Sequence, residues 1–256
     1  MPIENLVSES KIQKVITAGW ASIRHPNLFY KALKDAIHFL HASKKLSTSN
    51  IIRVPVTHLI KEFKQINLFN PYTRDGGTTY LELIAICSLL IQNNPKNLLE
   101  IGTFEGSTTL QLAINSDDDA EIHTLDLPSD TSNTIKPTLA TDLQFINDIA
   151  KTNRKYLSHS TSKKVIQHLG DSANYDFKTF VKNKPLDFAF IDGGHSYECV
   201  KNDTEKVLAI LNQSGVILWH DFNPTYQGVY RYLNELSKTL KLYHLKDTTL
   251  VYYKKT

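Results

Sequence analysis

Two rhythms divide the chain. Residues 1 to about 70 hold no strand-like run, but Phe29, Leu33, Ala36 and Leu40 recur at steps of four, three and four. That spacing puts them on one helical face, with Pro26 as a first-turn residue. From about residue 78 apolar stretches alternate between helical and strand-like spacing. Helices are predicted over Thr78–Gln92, from Gly106, over Asp142–Tyr156, Glu198–Leu211 and Val229–Leu240. Between them lie β-type runs at Asn97–Ile101, Glu121–Asp126, Lys164–Leu169, Leu186–Asp192 and Gly215–Asp221. Strands that alternate with helices imply parallel pairing and a doubly wound α/β sheet. Two last runs, Lys241–Leu245 and Thr249–Tyr253, are joined by only Lys246-Asp247-Thr248. So short a turn forces them antiparallel, because a parallel crossover needs about a dozen residues. The expected organisation is a helical N-terminal extension, residues 1–70, and an α/β domain, residues 71–256.

Composition narrows the function classes. The chain has 256 residues, 41% hydrophobic and 21% charged, enough to bury a core without staples. Lys and Arg number 29 against 26 acidic residues, a net +3 that argues for neither a nucleic-acid groove nor an anionic membrane. The excess is concentrated early: through Asn50 there are seven basic and three acidic residues. A solvated helix face and a docking surface for an acidic partner or second subunit both account for it. Cys87 and Cys199 lie far apart without zinc spacing, so no disulfide framework is implied. Met1-Pro2-Ile3-Glu4-Asn5 does not read as a signal peptide, and Leu81–Ile91 is too short to span a bilayer. A cytoplasmic protein is the default expectation.

In an open parallel sheet the ligand sits beyond the carboxyl ends of the strands. The first run ends in Glu100-Ile101-Gly102-Thr103-Phe104-Glu105-Gly106-Ser107, a glycine-bearing turn into a helix that can present free N–H groups. Its G-x-x-x-G spacing is not the dinucleotide fingerprint. The second run ends in Asp126, 24 residues after Gly102, where a carboxylate can accept from both hydroxyls of a ribose. The third ends in Gly170-Asp171-Ser172, the fourth in Asp192-Gly193-Gly194-His195, the fifth in His220-Asp221. One acidic or His residue at a strand end is usually a cap. Five in register, counting Glu100, point to a ligand edge.

Taken as an ordered set, these residues resemble the class I S-adenosylmethionine-dependent methyltransferases over residues 75 to 253. Leu98–Ser107 looks like the glycine loop of the small-molecule O-methyltransferase branch that includes the catechol type. Phe188–Tyr197 and Gly215–Phe222 are similar to the IDGGHSY and HDF motifs of a bacterial subgroup. The resemblance implies a Rossmann-like seven-stranded sheet with an antiparallel last strand, and S-adenosylmethionine as cofactor. Glu100, Gly102, Thr103, Phe104, Glu105, Gly106 and Ser107 would wrap its methionine part, Asp126 and Leu127 hold its ribose, and Asp171 and Ser172 face its adenine. Asp192 is open between metal ligand, partner of His195, and contact to the cofactor's ammonium.

In the catechol-type branch the position of Asp192 ligates Mg²⁺ and a Lys three residues on is the base. Here the later position is His195, and the remaining ligand positions fall on His220 and Asp221. Imidazole in the shell favours a transition metal, or no metal, over Mg²⁺. His195 is the first candidate base, suited by an unperturbed pKa near 6.5. His220 is the runner-up, or a metal ligand. The segment Asn70–Thr78 is placed either to fold over the cofactor or as a linker.

The activity implied is methyl transfer to a hydroxyl of a small molecule, a sugar, phenol or secondary metabolite, with a homodimer through the N-terminal helices as the expected assembly. Two alternatives stand beside it: an inactive scaffold that binds a protein partner, and a nicotinamide-dependent oxidoreductase. Glycine spacing and the terminal hairpin count against the latter.

Overall fold

The computed structural model describes residues 49–71, 77–128, 154–182 and 184–256. Among them eight strands form one sheet: β1 (Ile52–Val54), β2 (Asn97–Ile101), β3 (Glu121–Asp126), β4 (Val165–Leu169), β5 (Leu186–Ile191), β6 (Leu211–Trp219), β7 (Tyr243–Leu245) and β8 (Val251–Lys254). Their spatial order is β1-β7-β8-β6-β5-β2-β3-β4. Every neighbouring pair is parallel except those of β8, which runs antiparallel to both β6 and β7. β2, with all five residues buried, lies between β5 and β3. Strands covered on both faces need apolar side chains on both, which is why β2 and β5 read as continuous runs rather than alternations.

Four helices matter to the site: α1 (Tyr80–Asn93), α2 (Ser107–Asn115), α3 (Tyr197–Ile210) and α4 (Gln227–Leu236). α1 starts at a capping box, with Thr79 accepting from the N–H of Glu82 and Glu82 accepting from the N–H of Thr79. Reciprocal bonds of this kind satisfy two of the donors a helix start leaves open. Its apolar face, Ile86, Leu89 and Leu90, packs with Leu98, Phe188, Phe190 and Leu218 of three central strands in the core. Burying each such side chain contributes about 1.5–3 kcal/mol.

The sheet has eight strands, not seven. The extra one, β1, lies inside the stretch assigned to a helical extension. Ile52-Arg53-Val54 is too short to show an alternation and pairs only with β7, far along the sequence. The helical face of Phe29, Leu33, Ala36 and Leu40 lies outside the described residues, as does the predicted helix from Asp142 through residue 153. The end of that prediction falls on a single 3₁₀ turn, Lys155–Ser158. Most of the segment proposed to fold over a cofactor, residues 72–76, is also outside them. No helix among the described residues is long and apolar enough to cross a membrane.

Candidate functional site

At the carboxyl ends of β2 and β5 the chain changes direction on either side of a sheet crevice, the place where doubly wound folds bind ligands. Gly102 closes β2 with φ at +94°, and a Cβ there would lie 2.0 Å from the carbonyl oxygen of Asp192. Only glycine lets these two strand ends touch. Gly106 caps α2 from the left-handed region, and a Cβ there would meet the Tyr156 ring at 2.6 Å. Phe104, also at positive φ, sits at the tip of the turn between them. Thr103 is tied below by its hydroxyl to Thr124 at 2.6 Å, and Ser107 is the first residue of α2.

Asp126 fastens this loop. Its Oδ2 accepts from the Phe104 N–H at 2.9 Å and from Arg154 Nη2 at 3.1 Å, while Oδ1 accepts from the Leu127 N–H at 2.8 Å. Burial raises its pKa, and the Arg154 charge opposes the rise. The residues after Arg154 clamp the loop from the same side. The Lys155 N–H donates to the Glu105 carbonyl, Lys155 Nζ pairs with the Glu105 carboxylate at 2.9 Å, and the Tyr156 hydroxyl donates to Gln167.

Three residues expected at the cofactor, Glu100, Asp171 and Ser172, also bond within the protein. Glu100 is only 1% exposed, and its Oε2 accepts from the hydroxyls of Thr109 and Thr124 beneath the sheet edge. Burial without a cation pushes its pKa up to about 8. Asp171 is half-buried and organises its own turn, accepting from the Ala173 N–H and the Asn174 amide. The Ser172 carbonyl accepts from Lys206 Nζ, and the Ser172 hydroxyl bonds Asp203, a carboxyl that burial raises to about 6.

The ends of β5 and β6 hold a denser cluster around a small cavity lined by Asp192, Gly193, His195, His220 and Asp221. His195 donates from Nε2 to Asp221 Oδ2 at 2.7 Å and stacks on the Tyr226 ring, centroids 4.4 Å apart. His220 donates from Nδ1 to Asp192 Oδ1 at 2.9 Å and from Nε2 to Glu82 Oε2 at 3.3 Å. Burial alone would strip the proton from His220, but the charges of Asp192 and Asp221 raise its pKa well above the ordinary value. Carboxylates thus face both of its ring nitrogens.

Its partners respond in different ways. Burial pushes Glu82 up, yet the His220 bond and charge, with the N–H groups of Thr249 and Thr79, hold it well below the usual range. Asp221 is likewise lowered despite burial, by the His220 charge and the His195 bond, whereas burial wins at Asp192 and raises it.

His220, expected as a ligand, has both ring nitrogens set against carboxylates, Nδ1 on Asp192 and Nε2 on Glu82. The atoms that do converge belong to Asp192, His195 and Asp221, all within 4.8 Å of one another. Two carboxylates and one imidazole fit a divalent transition ion better than Mg²⁺.

Glu82 and Arg154 are the site residues that sequence reasoning missed. Glu82 appeared only as a lone charge in an apolar helix; Thr-x-x-Glu at 79–82 signals a cap but not the partner 138 residues away. Arg154 read as one more cation within a helix.

Comparison with known proteins fits this geometry. A family model described as "Methyltransferase domain" matches residues 99–222, from the middle of β2 to just past β6. Among solved structures, the chain is similar to the O-methyltransferase TomG from Streptomyces achromogenes, involved in tomaymycin synthesis and solved with S-adenosylmethionine. They share 16% identity over 71% of this chain and 83% of that one, with a TM-score of 0.50. It is also similar to the methyltransferase PaMTH1 of Podospora anserina bound to S-adenosylhomocysteine, at 17% identity, 71% and 80% coverage and a TM-score of 0.51. No curated protein matches the sequence. At these identities the likeness is one of fold: the chain has the Rossmann-like methyltransferase fold.

Proposed function

We propose that the chain is an S-adenosylmethionine-dependent methyltransferase acting on a hydroxyl of a small molecule. One observation carries the reading. Gly102 and Asp192 meet at the sheet crevice with Asp126 at the adjoining strand end, inside the span matched by the methyltransferase family model. The glycine loop supplies backbone for the methionine part, and Asp126 with Leu127 takes the ribose. Asp171 and Ser172 stand at the next strand end, where adenine would lie.

Methyl transfer is an in-line displacement on a sulfonium, and most of the enzyme's work is positioning the acceptor behind the methyl and excluding water. The acceptor hydroxyl also loses a proton. His195 is the group for that proton: Asp221 sits against its Nε2, and Tyr226 fixes the plane of its ring. A carboxylate on one ring nitrogen orients the imidazole and stabilises the imidazolium that forms, as in other His–Asp pairs. Asp192 lies between this pair and the glycine loop and faces either the acceptor or the cofactor's ammonium. Asp192, His195 and Asp221 are also the residues that would hold a divalent ion, whose chemistry there would be to polarise the acceptor oxygen.

The test is calorimetric titration with S-adenosylhomocysteine, NAD as control, first in chelator and then with Mn²⁺ or Mg²⁺. Micromolar binding of S-adenosylhomocysteine alone is expected; binding of NAD alone, or of neither, would sink the reading. An affinity unchanged by metal, with transfer activity intact in chelator, would assign the chemistry to the His195–Asp221 pair without an ion.

A further inference from the structure

Arg154 ends in an atom with no partner. Its Nη2 pairs with Asp126, but Nη1 is buried and makes no hydrogen bond to any of the described residues. Leaving such a donor buried and unmet costs about 1–3 kcal/mol or more. The orphan is not a stray side chain, because the residues beside it are fixed. Lys155 is tied to Glu105 through both backbone and side chain, and Tyr156 is packed on Gly106 and bonded to Gln167. Gln167 in turn donates to the Thr103 hydroxyl and the Thr124 carbonyl. Arg154 is thus held against the same carboxylate that a ribose would use.

Counting acceptor sites on Asp126 shows what is missing. A carboxylate offers about four lone-pair positions, two on each oxygen. Oδ2 already takes the Phe104 N–H and Arg154, and Oδ1 takes the Leu127 N–H. One position remains, on Oδ1. A ribose diol brings two hydroxyl donors and also oxygens that need donors. Asp126 can accept from one hydroxyl, while the lone pairs of the diol oxygens need a donor, which a carboxylate cannot provide.

Resting on the methyltransferase reading, we propose that Arg154 is the second half of the cofactor's ribose site. One ribose hydroxyl donates to Asp126 Oδ1, and Arg154 Nη1 donates to a hydroxyl oxygen of the same diol. The guanidinium that anchors Asp126 is then also a group that tells a ribonucleoside from its deoxy analogues. Lysine cannot replace it, since an ammonium set against Asp126 has no rigid second arm.

The experiment measures binding of S-adenosylhomocysteine and of its 2′-deoxy and 3′-deoxy analogues to wild type and Arg154→Lys, with unliganded melting temperatures to confirm both are folded. Arg154→Lys keeps a charge on Asp126 and should lose about tenfold or more in affinity for S-adenosylhomocysteine, the weight of a hydrogen bond from a charged donor. That loss should vanish with whichever deoxy analogue lacks the accepting oxygen. Equal loss on all three ligands would mean that Arg154 merely shapes the loop, and no loss at all would mean that Nη1 does not reach the ligand. Either result overturns the inference while leaving the methyltransferase reading in place. Wild type that binds none of the three overturns both.

Discussion

Glu82 and Glu100 are both buried glutamates, yet their carboxyls go opposite ways. Glu100, under the glycine loop, meets only the hydroxyls of Thr109 and Thr124, and its pKa climbs to about 8. Glu82, at the start of α1, meets His220, two N–H groups and the Thr249 hydroxyl, and stays ionised. The same contrast runs through the regions around them. Around β2 and β3 the chain builds with backbone donors and threonines, and its charges stand as the separate pairs Asp126–Arg154 and Glu105–Lys155. Around β5, β6 and α1 it gathers Glu82, Asp192, His195, His220 and Asp221 into a few ångströms. Buried charge is tolerated when it is paired and hydrogen-bonded, and such clusters are where proton chemistry is found. Under the proposed reading, one half of the crevice holds the cofactor and the other carries the reaction.

Breaking the ionised side should cost most. Glu82→Gln leaves His220 without one of the carboxylates that face it, and removing one member of a buried pair costs about 3–5 kcal/mol. The denaturation midpoint should fall accordingly; an unshifted midpoint would mean that Glu82 and His220 share no charge. Next in size is His195→Ala, which should cut turnover roughly 10²-fold or more, the usual share of a general base. S-adenosylhomocysteine affinity should hold, and unchanged turnover would remove His195 from the reaction.

The neutral side is read through pH. Glu100 binds its proton more tightly folded than unfolded, so between its unfolded value near 4.5 and its folded value of about 8 the native state carries the extra proton. Stability should therefore fall as pH rises through that window. Glu100→Gln should flatten this slope, measured as melting temperature against pH; a slope identical to wild type would assign the window to other groups. The smallest effect is expected at Lys155→Ala. Its pair with Glu105 is partly exposed and worth about 0.2–1 kcal/mol, which a double-mutant cycle with Glu105→Ala would resolve.

The sequence was most legible where burial on both faces forces continuous apolar runs. β2, β3 and β5 are observed at or within one residue of their predicted bounds, and the three-residue turn after Leu245 required the antiparallel pair that β7 and β8 form. The doubly wound pattern also indicated which residues would lie along one sheet edge, because the strand ends of such a sheet share it. What the pattern did not carry was pairing at a distance. Nothing near His220 announces Glu82, so the pairing of the two waited for the fold. Ile52-Arg53-Val54 is a strand only because Tyr243-His244-Leu245 lies alongside. Arg154 resembles any helical cation until its guanidinium is seen on Asp126.

The position of β8 has a consequence for how the chain is made. It leaves the ribosome after every other strand of the sheet, yet it is inserted between β6 and β7 rather than added at the rim. Among the described residues β1 is the first strand to be translated and pairs with β7 alone, and β7 meets the rest of the sheet through β8. The parallel core of β2 to β6 can assemble on the emerging polypeptide, while β1 waits unpaired for some two hundred residues. Loss of Val251–Lys254 would therefore release both ends of the domain at once, and a nascent chain stalled before them would display an unfinished edge to the cell's chaperones.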